Sequence, residues 1–598
     1  MKKLFFILIP VLLCFSVFLT VGRANAQTSY YVDGTSGNDS YSGTSLSQAW
    51  KTIQYSFDNA TPGSTVYILG GTYHENISVD VSGISGHPIT YRNYQHDTVI
   101  LDGTGTAGPN MLYLEDQSNI TIENITIRNM VDSFATGVTI SCTNSGFVSN
   151  IILRNLKITG IDWSSDSSAV PNSSDNSNPL LVSGGGTAQA NAITNVIIDS
   201  CEIFQNYTGF SEGLSLDGNI DTFIVSHNYV HNNTNIGIDM EGNYGTCSDP
   251  TYDHARNGHC FLNTCHNDVS NYATSGGIYV DGGENIIIER NTSFQNGYGI
   301  EIGCEENGST SNIIVRDNVF YNNQTAGIAI GGYNSATTGQ VLNSSVLNNT
   351  FLKDDYSNSG TGEIYMTKMS GCKIRNNIFY TNSQNILITR DNIAPFNNDT
   401  IDYNCWYTPN NDSNSINITW GASTFTSFSN YKVQTGMESH SKYADPQLNN
   451  ESVSSPNFHL LSASPCINAG NPVFAPGTGE TDYYGDTRVI NSRVDMGANE
   501  FSSSTSISDN PDKDDYIYVY PNPASKNITI KMQQQSAIKI FNIQGQLLKT
   551  LPLSREASEA GTPSGNKTNV DVSALPCGVY VVEVKTEKGV EVKKFVKE

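Results

Sequence analysis

Positive charge is scarce in this chain. Only 32 Lys and Arg stand against 57 Asp and Glu, a formal net charge of −25. Nucleic acid and anionic membrane surfaces would be repelled, so both are excluded as partners. A highly anionic polysaccharide is also disfavoured unless divalent cations mediate. Long apolar runs are missing after about residue 21, so the mature chain offers no segment able to span a bilayer. The 11 cysteines include no C-x-x-C pair and no zinc-type Cys/His spacing. Between residues 212 and 330 there is no lysine.

The single apolar run, Leu4 to about Val21, follows Met1-Lys2-Lys3 and precedes Ala24-Asn25-Ala26. That order is a cleavable signal peptide, residues 1–26, so the expected location is secreted or cell-surface, and the mature chain is expected to be a monomer. Export permits disulfides, and Cys247 and Cys260, which flank a loop over roughly 243–257, are the expected bridge. Buried free thiols are the alternative. Gly at 52 residues and Tyr at 31 suit a turn-rich, all-β chain.

A repeat runs through the middle. Asn119–Arg128, Asn150–Lys157, Asn195–Glu202, Thr222–Asn228, Asn285–Asn291, Asn312–Asn318, Ser344–Asn349 and Gly371–Asn377 each carry a short aliphatic strand with a polar, mostly Asn, corner. One strand motif every twenty to thirty residues indicates a solenoid. Asn suits its corners, where side-chain amides can bond the turns above and below. One coil buries too little to stand alone; about ten stacked coils make one continuous core.

A second set lies between Glu212 and Glu306: Gly213–Gly218, Gly237–Gly242, Gly277–Gly282, Gly299–Gly303 and Gly327–Gly331. Two aliphatic residues alternate with other residues in each, the pattern of a half-buried strand. Leu214/Leu216, Ile238/Met240, Ile278/Val280, Ile300/Ile302 and Ile328/Ile330 should point inward. Ser215, Asp217, Asp239, Glu241, Tyr279, Asp281 and Glu301 should then share the outer face. In register on strands about 4.8 Å apart, Asp217, Glu241 and Asp281 form one column, and Ser215, Asp239, Tyr279 and Glu301 the next. Like charges so close need a proton, a cation or a substrate between them.

The ends of the chain resemble known families. Tyr30–Asp39, Ala49–Gln54 and Pro62–Tyr73 resemble the start of secreted right-handed parallel β-helix proteins similar to family 9 pectate lyases. The resemblance implies that the Lys51-Thr52-Ile53-Gln54 stretch begins a short helix closing the open end. Ala444–Leu448, Ser464–Gly470 and Val494–Glu500 resemble a segment found after many secreted bacterial β-helices. Val519–Pro523, Ile538–Gly545, Val572–Tyr580 and the basic end Val592–Lys597 resemble the type IX secretion sorting domain of Bacteroidetes, a small β-sandwich. The expected organisation is a right-handed parallel β-helix over 27–430, its C-terminal cap over 431–501, a linker over 502–515 and the sorting domain over 516–598.

A long strand-lined groove suits a polysaccharide, and three activities fit the carboxylates. Glycoside hydrolysis needs one carboxylic acid and one carboxylate as base or nucleophile, with Asp239, Glu241, Asp281 and Glu301 as candidates. Neighbouring-coil partners such as Glu241 and Asp281 suit retention, and same-strand partners such as Asp239 and Glu241 sit at the lower edge of the inverting range. Asp217, Tyr279, Arg256 and Glu305 are candidate substrate contacts. A calcium-dependent lyase or epimerase would place Ca2+ on Asp217, Glu241 and Asp281. In family 9 the base is a lysine, and here His254, Arg256 and His259 are the only cationic candidates near the loop. The third reading is a surface adhesin or glycan-binding protein without catalysis, the carboxylates being structural calcium sites or a solvated face.

Overall fold

A computed structural model describes residues 28–332, 339–392 and 398–502, and most of the strands between 517 and 597. The expected signal peptide and nearly all of the expected linker lie outside the described residues. The chain divides into two compact units, Met1–Phe501 and Ser502–Glu598.

The first unit is a parallel β-helix. Three sheets of 13 strands each run its length. From Thr65–Ile68 onward, each complete coil visits them in the same order. In one coil, Ile220–Ser226 lies in the first sheet, Tyr229–His231 in the second and Ile236–Glu241 in the third. The winding is longer than the ten coils expected, because strands from Ser29–Val32 to Ile89–Asn93 lack the repeat motif yet join the first sheet. Aliphatic side chains from all three sheets fill one continuous interior, including Ile198, Val225, Ile238, Ile278, Ile300 and Ile328, each 0% exposed.

The corner between the first and second sheets explains the repeat. In the ten coils from Ile120–Glu123 to Thr400–Asp402, two residues make this turn. The first of the pair always has positive φ, from Asn124 at 63° to Tyr403 at 59°. Asn tolerates that region better than most residues. The second is turned inward, and from Asn228 to Asn404 it is always Asn. Each amide donates to the next: Asn228 to Asn263 at 2.9 Å, Asn263 to Asn291 at 3.0 Å, Asn291 to Asn318 at 3.0 Å, and onward through Asn349 and Asn377. Buried polar groups are thus satisfied along the solenoid axis. A second ladder, Asn206, Asn233, Asp268, Asn296, Asn323 and Asp354, follows the second sheet.

That second ladder accounts for the glycine opening each third-sheet motif. A Cβ on Gly277 would lie 2.3 Å from Asn296 Nδ2, and one on Gly327 2.6 Å from Asp354 Oδ2. Only glycine fits beside the ladder.

Both ends of the core are closed. Helix Ile53–Asn59, N-capped by Thr52, buries Ile53, Ser56 and Phe57, and Phe57 stacks on Tyr91 with ring centroids 3.7 Å apart. At the other end, helix Phe428–Thr435 packs Phe428 and Tyr431 onto the core. The expected cap over 431–501 is mostly something else. From Leu448 to Ala498 it packs on the outer side of the second sheet, against Tyr321, Leu352, Ile378, Tyr380 and Cys405. Apolar residues on that outer side need cover, and this strap supplies it. Arg488, 0% exposed, anchors it with Nε 3.4 Å from Asp317 of the helix and bonds to three strap carbonyls. The nine described cysteines of the mature chain are buried and free, so the expected Cys247–Cys260 bridge is absent. Cys260 faces the core from the first sheet, whereas the Cys247 thiol donates to the Gly186 carbonyl.

The second unit has two antiparallel sheets, one of three strands and one of four. Ile528, Ile530, Ile538, Ile540, Val582 and Phe595 from both sheets share one apolar cluster.

Candidate active site

Five neighbouring strands of the third sheet carry the site: β1 (Glu212–Gly218), β2 (Ile236–Glu241), β3 (Gly276–Asp281), β4 (Tyr298–Cys304) and β5 (Ala326–Gly332). Their register is the one the alternation dictates. Ser215 aligns with Asp239, Asp239 with Tyr279, and Tyr279 with Glu301. Glu241 aligns with Asp281, and β1 pairs with β2 as far as Leu216 and Met240, one residue before Asp217 and Glu241. The aliphatic partners face the core, so the polar set lies outside.

Outside is not exposed here. Loops on both edges wall in the sheet and form a cleft of about 1050 Å³. Asp239, Tyr279 and Asp281 are 2%, 2% and 1% exposed. Glu212, Asp217, Asp239, Glu241, Asp281, Glu301 and Glu305 all line it, with Tyr244, Tyr272, Tyr279, Tyr298 and Tyr365. No Lys, Arg or His does, among the described residues. The cleft reaches from strand Asn178–Gly184 to strand Ile364–Met366 along the sheet.

The loop after β2 supplies what alternation could not reveal. Asp253, 3% exposed, accepts the backbone N–H of Gly245 at 2.7 Å and of Cys247 at 2.8 Å, folding the loop back. Tyr244 then donates its hydroxyl to Asp281, and Thr246 donates to Asp217. From the loop after β4, the Glu305 backbone N–H also donates to Asp281, at 2.8 Å. Ser215 donates to Glu241. Asp239 Oδ1 is buried without a hydrogen-bond partner.

Burial and mutual repulsion push the carboxyls up. Burial raises Asp281 to about 7, helped by the Glu305 charge and opposed by Tyr244 and the Glu305 N–H. Glu301 is held well above its usual range by burial, then by the charges of Glu305 and Asp281. Burial and Asp217 carry Glu212 to about 8. Burial, then Glu241 and Asp281, keep Asp239 high; burial, then Glu212 and Asp217, keep Glu241 high. Asp217 reaches about 6, burial outweighing the Thr246 bond.

Two expected groupings are redrawn. Arg256 lies in strand Ala255–Phe261 of the first sheet, 6% exposed, with Nε 3.4 Å from Asp221 and its guanidinium on Asn219 at 2.8 Å. It is consumed structurally and does not line the cleft. His254 and His259 are likewise paired, with Glu284 at 3.3 Å and Glu289 at 2.9 Å. Of the expected calcium set Asp217, Glu241 and Asp281, Asp281 accepts Tyr244 and the Glu305 N–H on its two oxygens, and Asp217 accepts Thr246 on one. The carboxylates whose oxygens converge, within 4.8 Å of one another, are Glu212, Asp239 and Glu241. An orphaned Asp239 oxygen in an all-oxygen set fits a hard cation. Tyr244 lines the cleft, whereas Tyr252 lies against Arg256, with 5.7 Å from ring centroid to guanidinium carbon.

Comparison with known proteins places these features. A right handed beta helix region is matched over residues 272–433, and a secretion system C-terminal sorting domain over 518–598. The chain is 32% identical over 485 residues to the uncharacterized Bacillus subtilis (strain 168) protein YwoF, covering 78% of this chain and 99% of that one. A shorter stretch of 94 residues is 36% identical to pectate lyase PEL9 of Emericella nidulans, 15% of this chain and 22% of the relative. The crystal structure of pectate lyase Pel9A is similar with TM-score 0.42 and 14% identity, over 79% of this chain and 96% of that one. The sorting domain directs type IX secretion to the cell surface or beyond. The chain therefore belongs to the family of YwoF, as a right-handed parallel β-helix protein fitted with a C-terminal sorting domain.

Proposed function

We propose that the protein is an extracellular enzyme acting on polysaccharide, a glycoside hydrolase with paired carboxylates. The observation that carries this reading is the make-up of the cleft. Its titratable lining groups are carboxylates and tyrosine phenols, and one carboxylate, Asp281, is stabilised as an anion by two donors. Export fits a substrate too large to enter a cell. The cleft crosses seven strands, about 29 Å at 4.8 Å per step, which suits a chain of sugars. The rings of Tyr272, Tyr298 and Tyr365 offer faces to sugar rings. Seven acidic side chains and, among the described residues, no Lys, Arg or His in the lining favour a neutral glycan over a uronic one.

Glu301, kept protonated by burial, is the general acid for the leaving oxygen. Asp281 is the base. Glu301 aligns with Tyr279, so the two carboxylates start one strand apart and two residues along. That is about 8 Å at the backbone, and an inverting pair holds its carboxyl groups about 6.5–9.5 Å apart, with room for a water between. Among the described residues, the cleft offers no cationic base for elimination.

Incubation with a panel of polysaccharides tests the reading. New reducing ends without ultraviolet absorbance support hydrolysis; an unsaturated uronate means elimination; binding with neither product means a glycan-binding protein. Inversion at the anomeric carbon supports Asp281 with Glu301. Retention points to the directly aligned Glu241 and Asp281.

A further inference from the structure

Apart from Asp217, the carboxylates of the cleft fall into two groups. Asp281 and Glu301 lie toward β4, with Glu305 on the loop after it. Glu212, on β1, and Asp239 and Glu241, on β2, lie toward the other end, and one oxygen from each comes within 4.8 Å of the other two. Oxygens bound to calcium at about 2.3–2.6 Å can be up to about 5 Å apart across the ion, so the trio is already spaced for one cation.

Hydrogen bonds do not account for this trio as they do for Asp281, whose two oxygens accept Tyr244 and the Glu305 N–H. Asp217 accepts Thr246 on Oδ2 and leaves Oδ1 without a partner, but it is not one of the three carboxylates whose oxygens converge. Asp239 is 2% exposed, and its Oδ1 has no partner. A buried carboxylate oxygen without a partner loses its hydration and gains nothing in return. Among the described residues, no basic side chain lines the cleft to repay that loss. The Ser215 hydroxyl sits on Glu241 and adds a fourth oxygen beside the trio. Every donor atom is oxygen, and the strands on which they sit leave one side open to the cleft, where waters or sugar hydroxyls complete a coordination shell.

We propose that Glu212, Asp239 and Glu241 bind one hard divalent cation, calcium in preference to magnesium. Calcium accepts mixed carboxylate, hydroxyl and water oxygens in irregular geometry, whereas magnesium demands a near-ideal octahedron. The bound ion cancels the repulsion within the trio and presents open positions to vicinal sugar hydroxyls. The proposal goes beyond the hydrolase reading and does not depend on it, because Asp281 and Glu301 are outside the trio.

The test uses chelator-treated full-length protein, with calcium chloride and magnesium chloride as probes. Calorimetry and thermal melting are measured on the wild type, Asp239→Asn, Glu212→Gln and Asp281→Asn. The expected result is calcium binding at sub-millimolar to millimolar concentration, about the range of extracellular modules, with a raised melting temperature. Asp239→Asn and Glu212→Gln should each weaken binding at least tenfold, and Asp281→Asn should bind as the wild type does. Equal calcium affinity in wild type and Asp239→Asn, or no calcium-dependent melting shift in the wild type, overturns the proposal. Loss of binding in Asp281→Asn also overturns it, by assigning the ion to the other group. Product analysis on glycans is independent of all these outcomes, so failure of the hydrolase reading stays separable.

Discussion

Tyr244 and Asp281, on segments from different coils, meet in the cleft, where the phenol donates to the carboxylate. The bond favours the ionised form of a group that burial would otherwise keep neutral. Tyr244→Phe should therefore raise the Asp281 pKa. With Asp281 as base, the acid limb of kcat/KM then moves to higher pH, and activity at neutral pH falls by about ten- to a hundredfold. A pH–rate profile of the variant checks this; an unmoved limb with unchanged rate removes Asp281 from the base role.

Asp268 interrupts an asparagine ladder. It is fully buried, its Oδ1 accepts Asn233 at 2.9 Å, and its Oδ2 has no partner. Burial raises it to about 7. The folded form thus holds a proton that the unfolded chain releases near about 4. Stability is unaffected below about pH 4 and declines as pH rises toward 7, by about 1.4 kcal/mol per unit. Asp268→Asn restores an amide and removes the penalty. The variant should be more stable than wild type by a few kcal/mol at pH 8 and equal to it at about pH 4, measured by urea unfolding at both values.

Gly277 has no room for a methyl group beside Asn296 and Ser293. Gly277→Ala should cost about 1–3 kcal/mol through overpacking and displaced amides. A lowered urea midpoint with an unchanged slope is the expected reading.

Arg488 pairs with Asp317 where both side chains are fully buried. Arg488→Leu leaves Asp317 without its cation and should cost about 3–5 kcal/mol. The strap should then become protease-sensitive within 444–501 while the coils resist, as limited proteolysis with mass mapping would show.

Much of this molecule was legible in its residues because a solenoid repeats one local rule. Ile238, Ile278 and Ile300 announced the inner face, and the columns of Asp239, Tyr279 and Glu301 followed from period two alone. The Thr52 cap and its helix were legible by resemblance. Parts built from non-repeating loops were not. Nothing periodic links Tyr244 to Asp281 or Thr246 to Asp217; Asp253 folds that loop by bonds to backbone N–H groups. Glu212 sits ahead of the motif glycine, where alternation gives no direction. Arg256 was read as a loop residue because its strand, Ala255–Phe261, lacks the aliphatic run of its neighbours. The strap was read as an end cap because burial of Tyr321 and Tyr380 on the outer side has no sequence period.

The two-residue corner between the first and second sheets leaves no slack, since its second residue is wedged beside those of adjoining coils. In the ten coils that share this corner, length changes at the borders of the third sheet, where segments such as 242–254 and 267–275 already differ from coil to coil. Those borders are also the rims of the cleft. A lineage can therefore insert, trim or exchange rim segments while the spool itself stays wound, so new sugar preferences are open to this architecture without rebuilding the scaffold.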